Sequence, residues 1–183
     1  MNRDEAVTLV RSTIKSRNMF RHMLAVEAIM RGLAEHLGED EDLWGLTGLI
    51  HDIDYEKTVD NFKEHGVLAQ KILEGKMPKE SLRAILAHNH ENTGVKPETK
   101  LDKALIAADA ISGLIIACAL VMPSKSVMDV KLRTVKKKFK DKDFARGADR
   151  ERIILCEDLG IPSEKFFEIA LRAVQKVSEE LGL

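Results

Sequence analysis

The sequence predicts an all-α protein, a single-domain helical bundle of eight or nine helices, and three observations lead there. Apolar residues recur at helical spacing: His22, Val26, Ile29, Leu33 and Leu37 share one stripe, and Leu82, Ile85, Leu86 and Asn89 share another. No segment alternates apolar and polar residues as a half-buried strand does. Turn-forming residues fall between the stripes, at Gly38, "GKMP" (75–78), "NTGVKP" (92–97), Pro123 and "LGIPS" (159–163).

The first helix is expected over 3–16, where "MNRDEAVTLVRSTIK" opens as an amphipathic segment. A second, over 18–37, carries the His22 stripe and stops at Gly38. The third, over 40–51, is an apolar run that ends in "GLIHDIDYEK" (48–57), where a histidine, two aspartates and a glutamate crowd together. Helices over 63–75 and 79–89 flank the "GKMP" break, and the later one carries the Leu82 stripe. The sixth, over 99–121, contains "ALIAADAISGLIIACALVM" (104–122), 19 residues with Asp109 as the single charge. Its length would allow a membrane crossing. A carboxylate well inside lipid costs about 3 kcal/mol, and no second span accompanies it, so a buried core helix is expected. After Pro123 the chain turns basic and amphipathic, "SKSVMDVKLRTVKKKFKDKDFARGADRER" (124–152), with a seventh helix expected over 125–139. "LGIPS" ends an eighth at 148–159 and caps a ninth at 163–181.

At 183 residues the chain fits one domain, 1–183, and buries roughly two-thirds of its unfolded surface without needing staples. Its 29 basic and 30 acidic side chains give a formal charge of −1. No broad field therefore draws it to nucleic acid or to a membrane, and any charge-based recognition is local. The two cysteines, Cys118 and Cys156, lie in apolar helical surroundings without C-x-x-C spacing. They argue against a zinc knuckle or an extracellular disulfide framework and suit a reducing cytoplasm. The N-terminal residues lack the long apolar stretch of a secretory signal.

Five of the six histidines fall where metal chemistry would place them. His22 sits on an apolar helix face, a position more often filled by a satisfied core histidine. His51 and Asp52 change that reading, because neighbouring residues converge on one ion where a helix is ending. Asp109 is the stronger argument: an ionised carboxylate among alanine, isoleucine and leucine is destabilising by several kcal/mol unless paired, protonated or coordinated. His65 opens one helical segment, His88 lies near the end of another, and His90 follows it by two residues. His36, in "EHLGEDED", reads as a surface residue. Imidazole nitrogen with carboxylate oxygen suits Mn, Fe, Co, Ni or Zn, whereas Mg prefers more oxygen and water.

The ordered pattern of His22, "HD" at 51 and 52, and Asp109 in an apolar "AADA" helix resembles the HD superfamily of metal-dependent phosphohydrolases, which are all-helical. The resemblance covers at least residues 18 to 113, and positions 51–54 look like the "HDIG" variant with Asp54 in place of glycine. "ADAISGL", "PSK" and "CEDLGI" look like a small group of predicted hydrolases in that superfamily. It implies an HD-type domain with a metal-site core over 18–122 and a helical extension over 123–183. It also implies that His22, His51, Asp52 and Asp109 hold a first divalent ion, with Asp52 bridging to a second where one is present. His65 resembles the next histidine of two-metal members, and His88 the one after it, with His90 beside it as an alternative.

The activity so implied is metal-activated attack of water on phosphorus in a nucleotide or related phosphoester. Asp52 would orient that water, and Asp54 and Glu56 are weaker candidates for supporting or proton-transfer work. Substrate charge calls for lysine or arginine in fixed geometry: Lys125 in "PSK" is the first candidate, with Lys137, Lys138, Arg146 and Arg150 as a further pool, although a solvated helix is the simpler reading of this segment. Two other readings share the ligand set, a mixed-valent di-iron oxygenase and a non-catalytic metal- or nucleotide-binding module. Substrate, native metal and oligomeric state are not specified.

Overall fold

The computed structural model describes residues 1–183, and they are helical with no strand. In chain order the α-helices are α1 (Arg3–Thr13), α2 (Arg17–Leu37), α3 (Glu41–Ile50), α4 (Tyr55–Thr58), α5 (Val67–Leu73), α6 (Lys79–His88), α7 (His90–Thr93), α8 (Lys100–Leu120), α9 (Leu132–Lys140), α10 (Arg150–Ile154), α11 (Ser163–Lys176) and α12 (Ser178–Leu181). The nine expected helices are all present. The short α4 and α7, each of four residues, were not expected, and the helix expected over 163–181 is divided at Val177 into α11 and α12.

Side-chain caps set five of the twelve starts. Asn2, Ser16, Asp40, Thr99 and Asp149 each accept a hydrogen bond from a backbone N–H of the first turn, and Asn2 and Thr99 complete capping boxes with Glu5 and Asp102. Gly38 ends α2 in the left-handed conformation, φ 71°.

Two 21-residue helices, α2 and α8, form the centre. Each is about 30 Å long at 1.5 Å per residue. They pack on each other; α3 lies along α2, α6 along α8, and α10 and α11 cover the far side of α8. One apolar cluster of 47 buried residues runs from Ala6 to Leu181, so the C-terminal helices share the core of the rest. By length and composition α8 alone could cross a membrane, but it is a core helix here, with 14 of its 21 residues buried. Both cysteines are buried and unpaired, and burial pushes the Cys118 thiol up to about 11 and the Cys156 thiol up to about 12.

The approach of α3 to α2 depends on missing side chains. A Cβ on Gly48 would lie 2.9 Å from Met30 Cγ and 3.0 Å from the Val26 carbonyl oxygen, and one on Gly45 would overlap the Arg31 guanidinium. This close packing brings the C-terminal end of α3, with His51 and Asp52, against His22 of α2.

The helix expected over 125–139 is a correction. It begins only at Leu132, after a non-helical stretch with a single 3₁₀ turn at Val127–Asp129. Val127 and Val130 are both buried, and the Gln175 side-chain amide donates to both of their carbonyls. That anchor on α11 ties both ends of the 3₁₀ turn to the core, and the regular helix starts only after it.

Candidate metal centre

The turn after α3 builds the centre. His51 keeps helical backbone angles, and the chain then tightens, with Ile53 N–H donating to the Ile50 carbonyl and Tyr55 N–H to that of Asp52. Ile53 is fully buried and pins the turn into the core, so the side chains of His51 and Asp52 are both carried inward. His22 comes from α2, His88 from the last turn of α6, and Asp109 from the middle of α8. His65 comes from the chain before α5, held close to α6 by Gly66 at φ 85°, where a Cβ would lie 3.0 Å from the Ile85 carbonyl oxygen.

Asp52 is the hub. Its Oδ1 lies 3.3 Å from His51 Nε2, 3.3 Å from His65 Nε2 and 3.4 Å from His88 Nε2, and its Oδ2 lies 3.6 Å from His22 Nε2. Asp109 Oδ1 is 3.2 Å from His22 Nε2 and 3.8 Å from His51 Nε2. The donor atoms form two groups that share Asp52: His22, His51 and Asp52, and Asp52, His65 and His88.

Every one of the four imidazoles has its Nδ1 engaged on the side away from the centre. His22 Nδ1–H donates to Ser112 Oγ at 2.9 Å, and the Ser112 hydroxyl in turn donates to the Asp109 carbonyl. His51 Nδ1–H donates to the Gly48 carbonyl at 2.8 Å, His65 Nδ1–H to Asp54 Oδ1 at 2.9 Å, and His88 Nδ1–H to the Ile85 carbonyl. With Nδ1 carrying the proton, each neutral ring turns a lone pair at Nε2 towards Asp52. Two consequences mark a place for a cation. His51 Nε2 is buried with no hydrogen-bond partner, although Asp52 Oδ1 is 3.3 Å away. His65 Nε2 and His88 Nε2 face each other at 2.9 Å, which repels unless a proton or a metal ion lies between the lone pairs. The residues fit a divalent ion by donor type, by orientation and by these unsatisfied atoms.

Without metal the two carboxylates hold protons on the rings instead. Burial lowers the His22, His51 and His65 pKa values but is outweighed by Asp52, with Asp109 or Asp54, and they rise to about 9, about 10 and about 9. Burial opposes ionisation of Asp52 and Asp109 as well, yet the neighbouring histidines hold both well below the usual carboxylate range. His88 moves the other way: burial, together with the charges of His51 and His65, lowers it.

The centre forms the floor of an open cleft of about 290 Å³. Met19, Tyr55 and Phe62 make one wall, with the Phe62 ring 4.7 Å from that of His65. Asn89 braces that side, its amide donating to the Phe62 and His65 carbonyls. Gly147 and Arg152 close the rim.

The structure brings together His22, His51, Asp52, His65, His88 and Asp109. It leaves His90 outside the two ligand groups, half-buried on α7, and His36 exposed. Asp54 is fully buried, with Oδ1 on His65 and Oδ2 accepting from the N–H groups of Gly66 and Ala69, so it fixes the orientation of His65. Glu56 points elsewhere: it accepts from the N–H groups of Lys15 and Ser16, which hold its carboxyl below the usual value, and it ties α4 to the α1–α2 connection.

None of the expected phosphate-binding residues lines the cleft. Lys125 is exposed beyond the end of α8, which runs on from Asp109 for about 16 Å at 1.5 Å per residue. Lys137 is exposed, Lys138 pairs with Asp141 and lies over the Phe144 ring, and Arg146 pairs with Asp143. Arg150 is turned into its own loop, donating to six carbonyls. Arg152, two residues on, is the cation that reaches the centre, and sequence reading missed it. "DRER" offers two arginines, and only the cap at Asp149 and the packing of α10 decide which faces the cleft. Ser112 was also missed, although its place three residues after Asp109 on α8 puts it on the same helix face.

Comparison with known proteins agrees with this geometry. No curated protein and no solved structure matches the chain. The family model of the HD domain matches residues 19–114, just over half of the chain and inclusive of all six clustered residues. HD domains bind divalent metals and mark a superfamily of metal-dependent hydrolases. The chain belongs to the HD domain family.

Proposed function

We propose that the protein is a metal-dependent phosphohydrolase acting on a nucleotide or related phosphoester. The observation that carries this reading is Asp52 shared between two groups of imidazole nitrogens, at the floor of an open cleft. His22, His51, Asp52 and Asp109 would hold one divalent ion, and Asp52, His65 and His88 a second. The chemistry supplied by such ions is Lewis-acid, polarising a phosphoryl oxygen and making a water acidic at neutral pH. The chain's own part is to hold Asp52 fixed at the point where water and phosphorus meet. Ser112, Gly48, Asp54 and Ile85 keep the four rings from turning away. The wall of Met19, Tyr55 and Phe62 is apolar and partly aromatic, which suits the base of a nucleotide. Two buried, unpaired cysteines fit a reducing compartment such as the cytoplasm.

The test is orthophosphate release from a panel of nucleotides, cyclic nucleotides and sugar phosphates, each assayed with Mn, Fe, Co, Ni, Zn and Mg. The expected result is release that depends on the added ion, stops with chelator and is absent from Asp52→Ala, while His36→Ala keeps the parental rate. A coloured iron centre that consumes dioxygen and releases no phosphate would contradict the proposal.

A further inference from the structure

The rim of the cleft carries one guanidinium whose bonding is incomplete. Arg152 Nη2 donates to the His88 carbonyl and stands 3.7 Å from Asp109 Oδ2. Asp109 thus has its two oxygens on different duties, Oδ1 towards His22 and His51 and Oδ2 towards Arg152. Arg152 Nε is buried with no partner. A buried N–H without an acceptor is destabilising by about 1–3 kcal/mol, and this one lies on an arginine that lines the cleft beside the centre.

The surrounding loop is built to keep it there. Arg150 Nε donates to the Phe139 carbonyl, Nη1 to those of Ala145 and Ala148, and Nη2 to those of Lys138, Asp141 and Phe144. One side chain thereby gathers the loop between α9 and α10, including Ala145 in the left-handed region at φ 48°, and sets Gly147 on the rim next to Arg152. Asp149 caps α10 by accepting from the N–H groups of Glu151 and Arg152, which fixes the backbone of Arg152 itself.

We infer that Arg152 is the residue that grips the phosphoryl group of the substrate, and that Arg150 positions it through the loop. This rests on the phosphohydrolase reading and adds a residue outside the 19–114 segment matched by the family. A guanidinium presents planar paired donors that match two phosphoryl oxygens, and Arg152 does so one carboxylate away from the ligand groups. The exposed Lys125 and Lys137 offer no such geometry.

The probe is inorganic phosphate, titrated by calorimetry into the metal-loaded full-length protein, with metal content and melting temperature measured on the same samples. Arg152→Ala is expected to weaken phosphate binding about tenfold to a hundredfold, the loss of a charge-assisted pair, with metal content unchanged. Arg152→Lys keeps the charge without the fork and is expected to recover only part of the affinity. Arg150→Lys is expected to weaken phosphate binding while leaving metal content at the parental value, and Lys125→Ala to change neither. Parental phosphate affinity in Arg152→Ala overturns the inference and leaves the phosphohydrolase reading standing. Loss of bound metal from both Arg152 variants overturns it too, by showing that the side chain serves Asp109 and His88 alone. A parent protein that binds metal but no phosphate overturns both the inference and the reading beneath it.

Discussion

At the scale of single residues, Asp109 was legible from its apolar surroundings, whereas His22, His51, Asp52, His65 and His88 were legible as a set through the resemblance to the HD superfamily, which left His90 open beside His88. What was not legible was the far side of each ring. Asp54 stands where an acid after a helix end is usually solvated, yet it is fully buried and holds His65 Nδ1 at 2.9 Å. Asp54→Asn is expected to lower metal affinity or turnover about 10- to 100-fold, because such outer partners keep a ligand ring oriented; calorimetric metal titration checks it. The protonation of the centre gives a second expectation, with a definite sign. His22, His51 and His65 have folded-state values of about 9, about 10 and about 9, above the unfolded value of about 6.5. Their contribution to the stability of the metal-free protein is therefore full below about pH 6.5 and is lost as pH rises through about 9 to 10. Metal must displace those protons, so its binding should release protons and tighten with rising pH. Chelator-treated protein melted at pH 6.5 and pH 10, and metal titrations in buffers of different ionisation enthalpy, read both. A metal-free protein that is more stable at pH 10 would contradict the assignment.

At the scale of elements, helix boundaries were legible wherever a side chain announces them, as Asn2, Ser16, Asp40 and Thr99 do at starts and Gly38 does at a stop. The start of α9 was not. Nothing in "SKSVMDVK" breaks a helical pattern, and Val127 and Val130, three residues apart, would share one face of an α-helix as readily as they enter the core from a 3₁₀ turn. The bonds from Gln175, about 45 residues away in sequence, decide between them. Lys125 lies far from the cleft because α8 carries the chain about 16 Å past Asp109 before the turn that holds it. The close contact of α3 with α2 carries the element-scale prediction. In Gly48→Ala the new methyl meets Met30 Cγ and backbone atoms of Val26 and Glu27, so α3 must withdraw and take His51 and Asp52 with it. The expected cost is about 1–3 kcal/mol of overpacking. A melting temperature several degrees lower and weaker metal binding should appear together; an unchanged melt with unchanged metal affinity would show that the close approach is dispensable.

At the scale of the whole molecule, one buried carboxylate draws several helices together. Glu27 of α2 accepts from Arg3 of α1, with Nε–Oε1 at 2.7 Å, and from Arg31 at 3.1 Å. Arg3 continues to Glu180 of α12 and Arg31 to Asp42 of α3. Both arginines are partly exposed and can rehydrate, so Glu27→Ala is expected to remove about 1.5–3 kcal/mol of stability, with activity at the parental level in the folded protein. Thermal denaturation measures it, and about 2–4 °C of melting temperature per kcal/mol is the scale for a chain of this size. The all-helical class was legible from periodicity alone. A single domain over 1–183 was the expectation; how the C-terminal helices dock within it was not legible, because α11 and α12 meet α2 across more than a hundred residues of chain. That docking is what brings Arg152 to a centre built by residues 22 to 109. Whether this centre holds metal is tested most directly by elemental analysis of the protein after incubation with Mn, Fe, Ni and Zn, beside Asp52→Ala treated in the same way. The account predicts one or two bound ions per chain in the parent and a loss in the folded variant. A parent protein that stays free of metal after every incubation would contradict it.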